Sequence, residues 1–269
     1  MKISSLLCLV ALTVASLGTN VHAEAPTQLQ VGQSLARARL LLPGSHLYLR
    51  YNLKNGKREV IDIWRRDVRL EPHDGRRLLH IVQRWDGVGE HAYALEQDAW
   101  FEPATFRPIT QVKRVTRDGK TTVGGYRFLP DKVIGMDDLP DNVRKGFSIP
   151  EPEPAYNFET DMELLSMLPL AEGYVVSIPF YDPGLDPPQR YIFKVAGSER
   201  IRAADGPPVD CWVVTADYGL PDPPTKFWFD KQTQVLLREE RLQKDGSILV
   251  KTLVTPDTAI DRPNAPGPG

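Results

Sequence analysis

The chain has very little cysteine: two residues in 269, Cys8 and Cys211. Cys8 lies in an N-terminal stretch expected to be removed, so no intramolecular disulfide is expected, and the fold must be held by its core. Cys211 sits in the apolar run VDCWVV and reads as a small buried hydrophobe. Long apolar runs are also lacking. Residues 3–17, ISSLLCLVALTVASL, fall short of the ~20 needed to span a bilayer, and a membrane-spanning protein is not expected. Charge of one sign is missing as well. Lys and Arg number 33 against 35 Asp and Glu, which leaves no electrostatic case for nucleic acid.

Catalytic and ligand motifs are equally sparse. There is no G-x-S-x-G elbow. GKTT at 119–122 lacks the upstream glycine of a phosphate loop and falls in a predicted hairpin. The histidines show neither H-x-x-x-H nor H-E-x-x-H spacing, and MDDLPDN at 136–142 fits no calcium loop. No metal, no cofactor and no enzymatic activity are expected. An enzyme would need His80 or His91 to converge with Glu96 or Asp98.

What is present begins at the N-terminus. Met1-Lys2, the apolar run and VHA at 21–23 have the order of a secretory signal peptide over residues 1–23. A periplasmic protein is therefore expected, with no lipid anchor at Cys8, because half the apolar run still follows it. One β-rich domain is expected over 24–260, in two similar halves at about 44–135 and 156–255, with a Pro/Gly tail at 261–269. Proline, at 24 residues, concentrates in segments such as IPEPEPAY and YDPGLDPPQRY that read as connections.

From residue 47 onward apolar and polar residues alternate with period two. Asn-Gly at 55–56 and Asp-Gly at 74–75, 86–87, 118–119, 205–206 and 245–246 punctuate these runs as hairpin turns. The expected fold class is mainly β: a meander of about ten to twelve antiparallel strands at ordinary spacing. Helices are predicted over 29–42, which Gly32 weakens, and over 157–170. In the second, Asn157 caps the start and acids crowd the first turn.

One pattern occurs twice. Trp100-Phe101-Glu102 aligns with Trp228-Phe229-Asp230, and Thr105 with Thr233. In each copy the aromatic pair ends a strand with one ring on each face, and the acid and threonine bracket a tight turn. The expected product is a duplicated strand–turn–strand device building one large sheet.

The stretch FWFDKQTQVLLREER resembles the strand–turn–strand of exported bacterial proteins of the lipoprotein-localisation-factor fold, the LolA/LolB type. TDMELLSMLPLAEGYVVSIPFYD, YIFKVAGSERI and VDCWVV, across 160–241, are similar to a group of proteobacterial periplasmic proteins classed only as a domain of unknown function. The resemblance implies an antiparallel, strongly curved meander sheet, open like half a barrel, with one or two helices packed on its concave side, whose concave apolar face accepts a lipid, an acyl chain or a lipidated partner. Leu164, Leu165, Met167, Leu168, Trp212, Trp228, Phe229 and Leu237 are the candidate lining. The alternative is an envelope protein–protein module presenting the proline segments at 150–154 and 183–188.

Overall fold

The computed structural model describes residues 25–89, 92–151, 153–184, 187–202, 206–218 and 223–254. The predicted signal peptide and the Pro/Gly tail lie outside these residues. Sixteen strands are described: β1 (Thr27–Gln28), β2 (Gly44–Lys54), β3 (Lys57–His73), β4 (Arg76–Gly87), β5 (Tyr93–Phe101), β6 (Pro108–Arg117), β7 (Lys120–Phe128), β8 (Lys132–Gly135), β9 (Ser148–Pro150), β10 (Tyr156–Asn157), β11 (Val175–Tyr181), β12 (Gln189–Arg202), β13 (Pro208–Ala216), β14 (Thr225–Asp230), β15 (Leu236–Leu242) and β16 (Ile248–Leu253). They form one open sheet in the order β1-β11-β12-β13-β14-β15-β16-β2-β3-β4-β5-β6-β7-β8-β9, with β10 also on β11. Among the described strands only β1 and β10 pair in parallel, both on β11. The two sequence halves are therefore one sheet, joined where β16 pairs with β2.

The hairpin dipeptides do what their chemistry allows. Asn55-Gly56, Asp74-Gly75 and Asp118-Gly119 each carry positive φ at both residues and close two-residue loops. This is the type I′ turn, whose twist matches that of the flanking strands. Asp86-Gly87 is not a turn, contrary to expectation. It continues β4 opposite Asp62 and Ile63, and a Cβ on Gly87 would lie 2.4 Å from the Tyr93 ring. A glycine here makes room for a neighbour instead of reversing the chain. At 245–246 only Gly246 has positive φ, and the turn is longer, closed by Gln243 N–H to Ser247 O at 2.8 Å.

The duplicated pattern is duplicated structure. Glu102 N–H donates to Arg107 O and Phe106 N–H to Glu102 O; Asp230 N–H donates to Val235 O and Gln234 N–H to Asp230 O. Phe106 and Gln234 both adopt φ 55°. Thr105 Oγ1 accepts from Arg107 N–H and Thr233 Oγ1 from Val235 N–H. Each copy then carries a bulge, with Ile109 extra in β6 and Leu237 extra in β15.

The helical expectations need correction. Residues 29–42 are not a helix. Leu29 N–H donates to Ser177 O, Leu35 N–H to Ala104 O and Arg37 N–H to Met167 O. These long-range bonds displace the local i to i−4 pattern, Gly32 sits at φ 95°, and only a 3₁₀ turn at Ala38–Leu40 remains. The second segment begins as predicted, with Asn157 Oδ1 accepting Glu159 N–H at 3.0 Å. A 3₁₀ turn at Phe158–Thr160 leads into α1, Asp161–Ser166, which ends before residue 170. Met167 and Leu168 N–H tighten onto Leu164 and Leu165, and Pro169 disfavours α geometry at the residue before it. Helix α1 is short and buried, and it serves as the filling of the sheet.

Gly135 in β8 is a point of close approach: a Cβ there would lie 1.8 Å from the Arg144 carbonyl oxygen. Gly135→Ala is expected to cost about 1–3 kcal/mol, read as a lower urea midpoint with an unchanged slope. An unchanged midpoint would show that the 136–147 loop yields without cost.

Candidate functional site

Alternation along β3 places Asp62, Trp64, Arg66 and Val68 on one face. Cross-strand pairing carries that face through Arg66, Gln83, Gln97 and Lys113 on four successive strands. It is the inner face, yet its centre is polar: Arg66, Gln83 and Gln97 are all 1% exposed or less. The segment 157–163 answers with acids at alternate positions. Lys113 Nζ meets Glu159 Oε1 at 2.6 Å. Arg66 forms a forked pair with Glu163, and its Nη1 donates to Gln83 Oε1 at 2.9 Å. Tyr218 O–H donates to Asp161 Oδ2 at 2.8 Å. Asn157 Nδ2 donates to Gln111 Oε1 at 2.6 Å. Burial pushes the Asp161 carboxyl up to about 6, while the Lys251 charge pulls it down. Trp64 carries cations at its ring, with Lys251 Nζ 4.2 Å and Arg66 Cζ 4.5 Å from its centroid. The inner face is thus a keyed socket, with apolar walls and ion pairs that fix where α1 sits.

The apolar part of the socket is filled. Phe180, Phe193 and Phe227 pack on Tyr218 and Phe158 in ring contacts. Beside α1 the filling is incomplete. A solvent-open hollow of about 30 Å³ lies between residues 41–42, His46, Tyr48 and Val68 of the sheet side, Met162, Glu163 and Ser166 of α1, and the 233–236 turn. That is room for about one water. Gln234 lines it, is 1% exposed, and has an amide oxygen without a hydrogen-bond partner.

The family model for proteins of unknown function designated DUF3108 matches residues 50–250. The chain belongs to that family. No curated protein matches it. Among solved structures, the DUF3108 chain is similar to a beta-barrel-like protein of domain of unknown function DUF1849 from Brucella abortus, at 11% identity and TM-score 0.50, covering 79% of this chain and 96% of that one. It also aligns with the hypothetical lipoprotein YmcC from Escherichia coli K12, at 15% identity and TM-score 0.27, covering 83% and 90%. The first likeness shows a shared fold and nothing about activity.

In this DUF3108 member seven of the eight candidate lining residues, Leu164, Leu165, Met167, Leu168, Trp228, Phe229 and Leu237, are buried in the main core cluster. Alternation puts Trp228 on the face opposite Phe227, where its Nε1–H donates to Glu199. Trp212 is half-buried, with Lys231 Nζ 3.9 Å from its ring centroid. None of the eight lines the cavity beside α1. The socket's charged residues were missed because one Arg, Gln or Lys per strand looks like an outward-facing position. The available signal was the spacing of Glu159, Asp161 and Glu163, read instead as helix-terminus chemistry.

The histidine–carboxylate convergence that an enzyme would need is met in part. His80 Nδ1 lies 2.9 Å from Glu71 and Nε2 3.0 Å from Asp98, and its ring stacks on Trp100 at 3.9 Å. Glu96 instead faces Arg114 at 3.5 Å, and His91 lies outside the described residues. Two acceptor carboxylates on the two ring nitrogens favour the doubly protonated ring, with both nitrogens already engaged. Burial opposes that charge, but the hydrogen bonds and charges of Asp98 and Glu71 outweigh it and raise the His80 pKa. Its stabilising contribution is full below the unfolded value of about 6.5. It is lost as pH rises through the higher folded value. Melting curves of wild type and His80→Gln are expected to converge as pH rises above about 6.5. A pH-independent gap would show that the contribution is packing alone.

Proposed function

We propose that the protein is an exported, non-catalytic binding protein of the bacterial periplasm that holds a hydrophobic ligand: a lipid, an acyl chain or a lipidated partner. The cavity beside α1 carries the reading. It is a solvent-open hollow of about 30 Å³ beside the core, lined in part by Leu41, Val68, Met162 and Leu236, and it must widen to admit a ligand. The LolA/LolB-type resemblance of the 227–241 stretch and the signal-like N-terminus support the same reading. The ligand does not lie along the concave face, which α1 occupies. It enters at the rim, between α1 and the 233–236 turn.

Native mass spectrometry of mature protein taken from the periplasm, with organic extraction of what co-purifies, tests this. The expected result is reproducible extra mass that extracts as lipid, or, for delipidated protein, saturable uptake of an added acyl probe. Bare protein mass together with no uptake of any probe would overturn it.

A further inference from the structure

The outer face of the sheet carries an apolar patch where the two halves join. Of the eight large aliphatic side chains exposed among the described residues, four, Val60, Ile63, Val88 and Leu242, lie in this one region. The pairing shows why. Tyr48, Arg50, Asp62, Glu239 and Lys251 point inward, so alternation sends their neighbours outward. Tyr51 then lies between Val250 and Val60, Leu49 beside Ile63, and Leu242 opposite Ile248. The bulge at Ile61 keeps both Val60 and Ile63 on this face. It also brings up Val88, whose N–H donates to Ile61 O at 3.0 Å. Exposed aliphatic residues scattered singly mean little, but a contiguous group across β15, β16, β2 and β3 marks a contact surface.

The border of this patch is basic. The tips of the β2–β3 and β15–β16 hairpins carry Lys54, Lys57, Arg58 and Lys244 against Glu59 and Asp245, all exposed. Four bases less two acids leave a net charge of +2 there. Nearer the patch the acids are neutralised, Glu240 by Arg238 and Asp86 by Arg84. The Arg58 guanidinium lies over the Tyr51 ring, 5.3 Å from its centroid, so its stem covers apolar surface while its charge stays at the edge.

We propose that this outer face docks on the surface of an anionic phospholipid bilayer. Val60, Ile63, Val88 and Leu242 seat among the headgroups, and the two hairpin tips meet the phosphates. Charge complementarity selects this occupant. A second copy paired through the same patch would set one basic border against another, and a purely apolar partner would leave the bases without counter-charge. The docking is peripheral, since no helix among the described residues is long and apolar enough to cross a membrane. The patch lies on the face opposite α1 and its hollow, so it stands independently of the binding reading above.

The test is flotation of the mature protein with vesicles of phosphatidylcholine alone and of equimolar phosphatidylcholine and phosphatidylglycerol. Wild type is compared with two double variants, Val60→Thr with Ile63→Thr and Lys57→Glu with Lys244→Glu. Threonine keeps the β-branched shape that suits a strand, and both lysines are exposed, so both variants should keep the native circular dichroism spectrum. If one does not, the other decides. Two net charges at about fivefold each predict partitioning at least about tenfold stronger onto the anionic vesicles, lost at high salt. The lysine variant should lose that preference, and the threonine variant should bind the anionic vesicles about fivefold more weakly or worse. Wild type that ignores the anionic vesicles or binds both kinds equally, or folded variants that float as wild type does, would overturn the proposal. So would a dimer in sedimentation velocity that the threonine variant abolishes while no vesicle is bound, which would assign the face to a second copy. Each of these failures leaves the binding reading standing, because the hollow is on the other face.

Discussion

Arg66→Ala should be among the most destabilising single substitutions in the chain, with a loss of about 3–5 kcal/mol. For a protein of this size that corresponds to a melting temperature about 6–20 °C lower. Arg66 is 1% exposed and Glu163 7%, so removing the guanidinium leaves the Glu163 carboxylate buried without its partner and strips the donor from Gln83 Oε1. The penalty comes from stranding a charge, and the net worth of the pair is much smaller. The double variant Arg66→Met, Glu163→Met should therefore be more stable than Arg66→Ala, because a buried pair replaced as a whole is often neutral. Equilibrium urea denaturation of the three proteins decides it. A double variant no better than the single would mean that the pair itself holds α1 in place.

Phe101→Ala and Phe229→Ala are equivalent changes in the two copies, and each is expected to cost about 3–5 kcal/mol. Both rings are completely buried. Phe101 should be the worse of the two, since it stacks closely on Phe106 with centroids 4.5 Å apart, whereas Phe229 meets Phe227 at 6.4 Å. Because β16 hydrogen-bonds to β2 along six residue pairs, both variants should lower one shared transition. Differential scanning calorimetry that splits into two transitions, only one of them moved by each variant, would show that the halves unfold separately.

The sequence made the sheet legible and its contents largely illegible, for a physical reason. Period-two alternation and Asn-Gly or Asp-Gly turns are local signals, and three of those dipeptides form the tight turns expected of them. Gly87 misled because a glycine that admits a neighbouring ring looks the same as one that reverses the chain. Residues 29–42 misled because their backbone partners, Ala104, Met167 and Ser177, are distant in sequence. Of the site, seven of the eight apolar residues named from the sequence lie in the buried core cluster, and Trp212 is half-buried. The hollow beside α1 is walled by residues 41–48, 68, 162–166 and 233–236, which are distant in sequence and meet only in the fold.

The duplication also has a meaning for ancestry. Strands β2–β7 and β11–β16 are two six-stranded units in the same order, fixed by their matching turns. Two such units related by a twofold axis would meet at two junctions, the last strand of each on the first strand of the other, and would close a twelve-stranded ring. Here one junction exists, β16 on β2. At the other, β8 occupies the edge of β7 while β1 and β10 occupy the edge of β11. The openness of the sheet is thus a broken symmetry. It is the arrangement expected if a self-pairing half-length ancestor was fused into one chain and one seam was then taken over by added strands.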